Sequence, residues 1–222
     1  RKAAKKEEMF LFNCFTAPDL YDAFYGEDED LFARLYEQYE NDPNFPKTYI
    51  DAREILLTSI NEAYETGRSY LTWADEMNRH TPFLDKIYSS NLCQEIMLPP
   101  AGYESMMDLY SEEDHGRGEV AMCSLGGILV GNIESDEEYE DAMYYALLMV
   151  DKCIHQAHYA LPHIGVTAKA RMSAGIGIVG LAHHMAKKGL KYSSQEGKNE
   201  IHRLSEKHMY FAIRGSLRLS KE

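Results

Sequence analysis

Cysteine is scarce in this chain and never closely spaced. Cys14, Cys93, Cys123 and Cys153 are the only 4 in 222 residues, and no C-x-x-C pair occurs. A disulfide-stapled scaffold and the common structural zinc sites are therefore excluded. Long apolar runs are missing too, as is a recognisable secretory leader, so the chain is expected to act in the cytoplasm, without a membrane. Positive charge is in deficit: 23 Lys and Arg against 36 Asp and Glu leave a net charge of -13. A nucleic-acid partner needs a basic face to neutralise phosphates, and none is available. Any nucleotide handled here is a small one held by local groups. The basic head, residues 1–6, gives way at once to Glu7 and Glu8 and reads as a helix start or a cut end rather than a DNA-binding arm. With no internal repeat and no Pro/Ser-rich linker, a single domain is the simplest count.

What is present fits a soluble α/β globule: 45% apolar and 27% charged residues. A chain of this size hides roughly 70% of the surface it would expose when extended. Residues 1–66 read as a helical lead-in. Met9 to Phe12 is a short strand or buried loop, and a short helix through Leu20 and Phe24 ends at Gly26. Leu31, Phe32, Leu35, Tyr36 and Tyr39 mark a helix broken at Asp42-Pro43. Residues 47–66 read as one long amphipathic helix closed by Gly67. Residues 67–133 read as strands and a loop: a strand at 69–73, a polar connection at 75–82, an extended segment at 87–98, a surface excursion at 101–118 and a strand at 119–125. Residues 134–222 read as helices with a glycine-rich turn. A helix after the acidic turn 134–141 puts Ala142, Tyr145, Ala146, Met149 and Cys153 on one face, with Cys153 a small buried hydrophobe. Residues 162–171 are a connection, 172–180 the glycine-rich turn, and 181–188 a helix capped by Gly189. The last thirty residues form a helix whose inner side carries Ile201, Leu204, His208, Phe211 and Leu217.

One stretch carries chemistry. Ser90-Asn91-Leu92-Cys93-Gln94-Glu95-Ile96 sets an amide, a thiol and a carboxylate at alternate positions. In an extended segment, alternate side chains point to the same side. Asn91, Cys93 and Glu95 then face one small volume with a hydrogen-bonding group, a reactive sulfur and a proton acceptor. An isolated cysteine is ordinarily a buried structural thiol, and an isolated glutamate a surface acid. Three functions in register are harder to explain that way.

These residues resemble the active-site finger of the large, catalytic subunit of class I ribonucleoside-diphosphate reductases. Further along, Gly118-Glu119-Val120-Ala121-Met122-Cys123-Ser124-Leu125 is similar to that family's second redox-cysteine strand. Gly175-Ile176-Gly177-Ile178-Val179-Gly180 and His183-His184-Met185-Ala186-Lys187-Lys188-Gly189 resemble its next glycine-rich turn and helix. Upstream, Ala17-Pro18-Asp19-Leu20-Tyr21-Asp22-Ala23-Phe24 and Leu35-Tyr36-Glu37-Gln38-Tyr39-Glu40 are similar to its lead-in. The order matches over nearly the whole chain.

The resemblance implies that residues 1–222 are one internal segment of the ten-stranded α/β barrel, with the finger loop inside. It implies reduction of ribonucleoside diphosphates to 2′-deoxyribonucleoside diphosphates. Cys93 would be the thiyl radical that takes the ribose 3′ hydrogen and Glu95 the base for the 3′ hydroxyl. Asn91 would hold that oxygen, with Leu92 lining the substrate. Cys123 would be half of the dithiol that ends as a disulfide, its partner lying outside this chain. No cofactor is bound directly. A metal-containing small subunit supplies the radical, and a thioredoxin- or glutaredoxin-type protein the electrons. The remaining part of the large subunit, nucleotide effectors bound by missing regions, and a second copy in a homodimer complete the expected partners. Two alternatives stay open: a cobalamin-dependent reductase sharing the Asn-x-Cys-x-Glu finger, and a non-catalytic half of a split reductase that docks on a complementary chain.

Two further patterns are weaker. Gly175-x-Gly177-x-x-Gly180 matches a dinucleotide fingerprint by letters, but Arg171 to Ala174 is not the buried strand that fingerprint follows. The glycines read instead as places where a helix packs closely on a sheet. His155, His158, His163, His183 and His184 invite a metal site, yet no acidic partner stands at a known ligand spacing.

Overall fold

The computed structural model describes residues 2–26 and 28–222. They fall into two compact units, residues 1–100 and 101–222.

In the first unit the order is α1 (Lys2–Lys5), β1 (Glu8–Leu11), α2 (Pro18–Phe24), α3 (Glu29–Asn41), β2 (Thr48–Asp51), α4 (Ala52–Thr66) and α5 (Ala74–Arg79). Of the basic head, Arg1 lies outside the described residues. Strands β1 and β2 pair antiparallel, Phe10 opposite Tyr49. Phe10 is fully buried with Ala17, Leu20 and Tyr36. Tyr36 stacks on Phe10 with ring centroids 4.2 Å apart. Its hydroxyl accepts from Phe10 N–H at 2.8 Å and donates to Phe10 C=O at 3.1 Å. One α3 side chain thus satisfies both backbone groups of a buried strand residue, which fixes helix to sheet.

Local signals set the ends. Asp28 caps α3 by accepting from Asp30 and Leu31 N–H, and Asp51 caps α4 through Arg53 and Glu54 N–H. Gly67, at φ 67°, closes α4 in the left-handed region. The helix expected over 47–66 begins only at Ala52. Thr48, Tyr49 and Ile50 find β1 as a partner, and the Asp51 cap resets the backbone. Residues 69–73 find no strand partner and run as a loop. The connection expected at 75–82 contains α5, whose Arg79 pairs with Glu76 at 2.7 Å, one turn back.

The second unit contains a 3₁₀ turn (Met106–Tyr110), β3 (Leu125–Leu129), a second 3₁₀ turn (Val130–Asn132), α6 (Asp136–Gln156), α7 (Pro162–Arg171), β4 (Gly175–Val179), α8 (Leu181–Lys187) and α9 (Gln195–Leu219). Strands β3 and β4 pair in parallel from Leu125 opposite Gly175 to Leu129 opposite Val179. A parallel pair needs a long crossover, and α6 with α7 supplies it. The core is Ile128, Val130, Tyr139, Met143, Leu204 and Phe211, drawn from β3, α6 and α9.

Several expectations change here. The strand placed at 119–125 starts at Leu125. Residues 162–171 are the helix α7, entered through Pro162 at its first position. The expected turn at 172–180 is β4 itself, so its glycines lie within a strand. The crowding falls on the partner strand: a Cβ on Gly127 of β3 would sit 2.6 Å from Val179 Cγ2, and one on Gly126 3.0 Å from Ile176 Cδ1 and 3.6 Å from Val150 of α6, whereas one on Gly177 of β4 would come no nearer than 3.9 Å, to the Gly126 carbonyl oxygen. Only Gly180, at φ 74°, makes a turn, swinging the chain from β4 into α8. The buried residues of α6 are Tyr139, Met143, Tyr144, Val150 and Ile154; Tyr145 and Met149 are exposed, and so is Cys153. Leu217 of α9 is also exposed, while Gly215 lets α6 come close, its would-be Cβ 2.9 Å from Leu147. Among the described residues the 4 strands form two separate pairs, not a closed barrel.

Polar groups finish the packing. His208 of α9 donates Nε2–H to the Ile176 carbonyl of β4 at 2.7 Å, so in the neutral ring Nδ1 accepts from Tyr139 of α6, also at 2.7 Å. Burial pushes the Tyr139 hydroxyl up to about 12, which keeps it a donor. Glu200 is more heavily engaged. Burial works against its charge, but hydrogen bonds from Lys188, His184 and Arg203 outweigh it and pull the carboxyl down to about 2. A carboxyl lowered on folding stabilises fully above its ordinary value of 4.5 and loses that contribution as pH falls toward 2. Glu200→Gln is therefore expected to lower stability by on the order of 2 kcal/mol near neutral pH. The gap from wild type should close as acid unfolding is followed by circular dichroism from pH 4.5 to 2. A gap unchanged across that range would refute the assignment.

Candidate active site

The finger is a turn, not an extended strand. Asn91 N–H donates to Ile96 C=O at 3.2 Å and Gln94 N–H to Asn91 C=O at 3.2 Å, while Asn91 Oδ1 accepts from Ile96 N–H at 3.0 Å. Ser90 Oγ donates to the Asn91 carbonyl at 2.9 Å. Gln94 stands at φ 61°, and this left-handed residue reverses the chain between Cys93 and Glu95. The alternation expected of an extended segment therefore does not apply. Asn91, Cys93 and Glu95 are gathered on one small loop by a closed turn instead. Asn91 is its clasp, and the Ile96 bond fixes the plane of the amide. Leu92, Cys93 and Glu95 are exposed at the tip.

The root of the turn is held more firmly. Ile87 is fully buried. The Asn78 carboxamide on α5 accepts from Ile87 N–H at 2.8 Å and donates to Ile87 C=O at 2.9 Å, a two-point grip like a strand partner's. Sequence reasoning missed Asn78. Its one signal was an asparagine inside a short helix, where such a side chain disfavours the helix unless something else uses it.

Cys123 is exposed and lies in the second unit, just ahead of β3. The segment leading to it is tied down. Glu119 accepts from Arg171 Nε at 2.6 Å and Nη2 at 2.8 Å, and Ala101 and Glu119 exchange backbone hydrogen bonds. The histidines are spread over separate tasks: His163 is fully buried with Nδ1 2.9 Å from the Tyr103 hydroxyl and its ring stacked on His115, His184 meets Glu200, and His155, His158 and His183 are exposed. Among the described residues no group of three or more His, Cys, Asp or Glu side chains is arranged to hold a metal, and no helix is long and apolar enough to cross a membrane.

The sequence pattern of the ribonucleotide reductase barrel domain matches residues 1–222. The chain belongs to the ribonucleotide reductase family. Its match runs through both units. Relatives agree: the ribonucleoside-diphosphate reductase subunit alpha of Haemophilus influenzae is 33% identical over 225 residues, covering 100% of this chain and 29% of that protein. Ribonucleoside-diphosphate reductase 1 subunit alpha of Escherichia coli is 33% identical over 221 residues, covering 98% and 28%, and the subunit alpha of Enterobacteria phage T4 is 30% identical over 204, covering 89% and 25%. The chain thus spans less than a third of the length of these reductase subunits. For a ribonucleotide reductase barrel segment, the mixed helix and sheet is the expected class.

Proposed function

We propose that this chain is the finger-bearing segment of a ribonucleoside-diphosphate reductase catalytic subunit, converting ribonucleoside diphosphates to 2′-deoxyribonucleoside diphosphates for DNA synthesis. The observation that carries the reading is the Asn91-x-Cys93-x-Glu95 turn, standing in a chain matched from end to end by the reductase barrel family. In the complete subunit the ten-stranded barrel closes around that turn, and the exposed tip faces a substrate pocket from which water is excluded.

The chemistry balances with these residues. The Cys93 thiyl, formed by a radical-generating small subunit, takes the 3′ hydrogen and becomes a thiol. Glu95 accepts the 3′-hydroxyl proton, which loads charge onto the sugar and expels the 2′ hydroxyl as water with a proton from the dithiol. Asn91 hydrogen-bonds the 3′ oxygen as charge grows there, and Leu92 covers the sugar. Cys123 and its partner outside this chain give up two hydrogens in all, one leaving in the water and one going to C2′, and become a disulfide, while Glu95 returns its proton to the 3′ oxygen. Cys93 then returns hydrogen to C3′, and a thioredoxin- or glutaredoxin-type protein restores the dithiol. The subunit works as a homodimer, its nucleotide effectors bound outside this segment.

The test is deoxyribonucleotide formation by the complete subunit with its small subunit and reductant. Turnover is expected there, without added adenosylcobalamin, and none from residues 1–222 alone. Strict dependence on adenosylcobalamin would overturn the class I assignment. Turnover by the isolated chain would overturn the need for the rest of the barrel.

A further inference from the structure

The finger turns on a residue that resists turning. A non-glycine side chain at φ 61°, as at Gln94, crowds its own backbone. Such a conformation persists only where the surroundings over-determine it. Part of that support comes from the segment 72–78. Gln94 Nε2 donates to Thr72 Oγ1, linking the tip of the turn to a residue 22 positions away. At the root, Asn78 grips Ile87 from both sides and also donates to the Ala74 carbonyl at 3.0 Å, so the grip is anchored in α5. Against Gln94 lies an open cavity of about 400 Å³ lined by Leu71, Thr72, Glu76, Met77, Gln94 and Met97 among others. Open space behind a turn lets it sag once the tether is cut. The hydrogen bonds within the turn define its shape but not its height above that cavity.

We infer that residues 72–78 brace the finger, with Thr72, Asn78 and Gln94 as positioning residues that set Cys93 and Glu95 in register; this rests on the function proposed above. Sulfur and carboxylate must meet neighbouring atoms of one sugar. A misplacement of about 1 Å at such a site can lower the rate by ~10²-fold. Thr72 and Gln94 touch neither reacting atom; they act through the turn.

The experiment uses the complete subunit with its small subunit and reductant, and compares Thr72→Val, Gln94→Met, the double variant, Thr72→Ser and Cys93→Ser. Each of the first two is expected to lower kcat by ~10- to 100-fold, leaving KM for the ribonucleoside diphosphate within about 2-fold. The double variant should be no worse than either single one, since both remove the same contact. Thr72→Ser keeps the hydroxyl and should recover most of the turnover. Wild-type kcat in Thr72→Val, additive losses, a change confined to KM, or a loss that Thr72→Ser fails to rescue would each overturn the brace. Cys93→Ser separates the two levels. Turnover that survives it removes the finger assignment and the brace together, whereas turnover that needs Cys93 but ignores Thr72→Val removes only the brace.

Discussion

Cys93→Ser in the complete enzyme abolishes deoxyribonucleotide formation, with an expected fall in kcat of at least ~10⁴-fold, the scale on which removal of a bond-making group is felt. The substitution exchanges one atom. Cys93 is exposed at the tip of a turn held by hydrogen bonds of Asn91, Gln94, Ile96 and Ser90, so serine leaves the fold in place. What changes is the chemistry. A thiol gives up and regains a hydrogen atom readily, so it can pass one to and from a sugar carbon, whereas a hydroxyl holds its hydrogen too strongly to take the part. Thermal stability and nucleotide affinity should be those of the wild type, because binding shared by ground and transition states is untouched. Cys14→Ser and Cys153→Ser, which remove other exposed thiols, are expected to stay close to wild-type turnover. Product chromatography after a fixed reaction time decides the matter. Turnover surviving Cys93→Ser would make this thiol structural and reopen the histidines.

Glu95→Gln carries the next largest effect, a fall in kcat of ~10²- to 10⁴-fold, the usual worth of a positioned acid or base. The amide keeps the size and much of the hydrogen-bonding capacity of the carboxylate but cannot accept the 3′-hydroxyl proton. The diagnostic readout is the pH profile of kcat. The rise on the acid side that reports the ionised carboxylate should vanish in Glu95→Gln, leaving a flat, low rate. KM should move little, because the exposed tip of the finger contributes less to binding than to chemistry. A variant with wild-type kcat, or one whose loss lies wholly in KM, would remove Glu95 from the base's role.

The two variants probe what was legible in the linear sequence and what was not. The residues of the finger could be read directly, because each supplies a distinct chemical function and their spacing is written in the chain. Helix ends were legible for the same local reason: Gly67 and Gly189 act on backbone groups only a few residues away. The strand formed by the glycine-rich stretch 175–179 was missed. Glycine leaves no apolar alternation to read, and what makes the stretch a strand is a partner some fifty residues upstream. The face of α6 was read only in part: Ala142 and Ala146 do pack against the core, but Tyr145, Met149 and Cys153 do not, because Tyr, Met and Ala surround that helix. Which of them turn inward depends on where β3 and α9 lie, and Cys153 went to solvent as a result.

By itself, then, the sequence determined the chemistry available at Asn91, Cys93 and Glu95, the family, most helix limits and a strongly acidic balance of charge. Tertiary structure decided the shape in which that chemistry is presented. It folded the finger into a turn on a left-handed Gln94 and gripped its root with Asn78. It also made a strand of a glycine-rich stretch by giving it a partner. The division follows from range: side-chain identity and capping act within a few residues, whereas strand pairing, burial and the support of a strained turn need partners that only folding brings near.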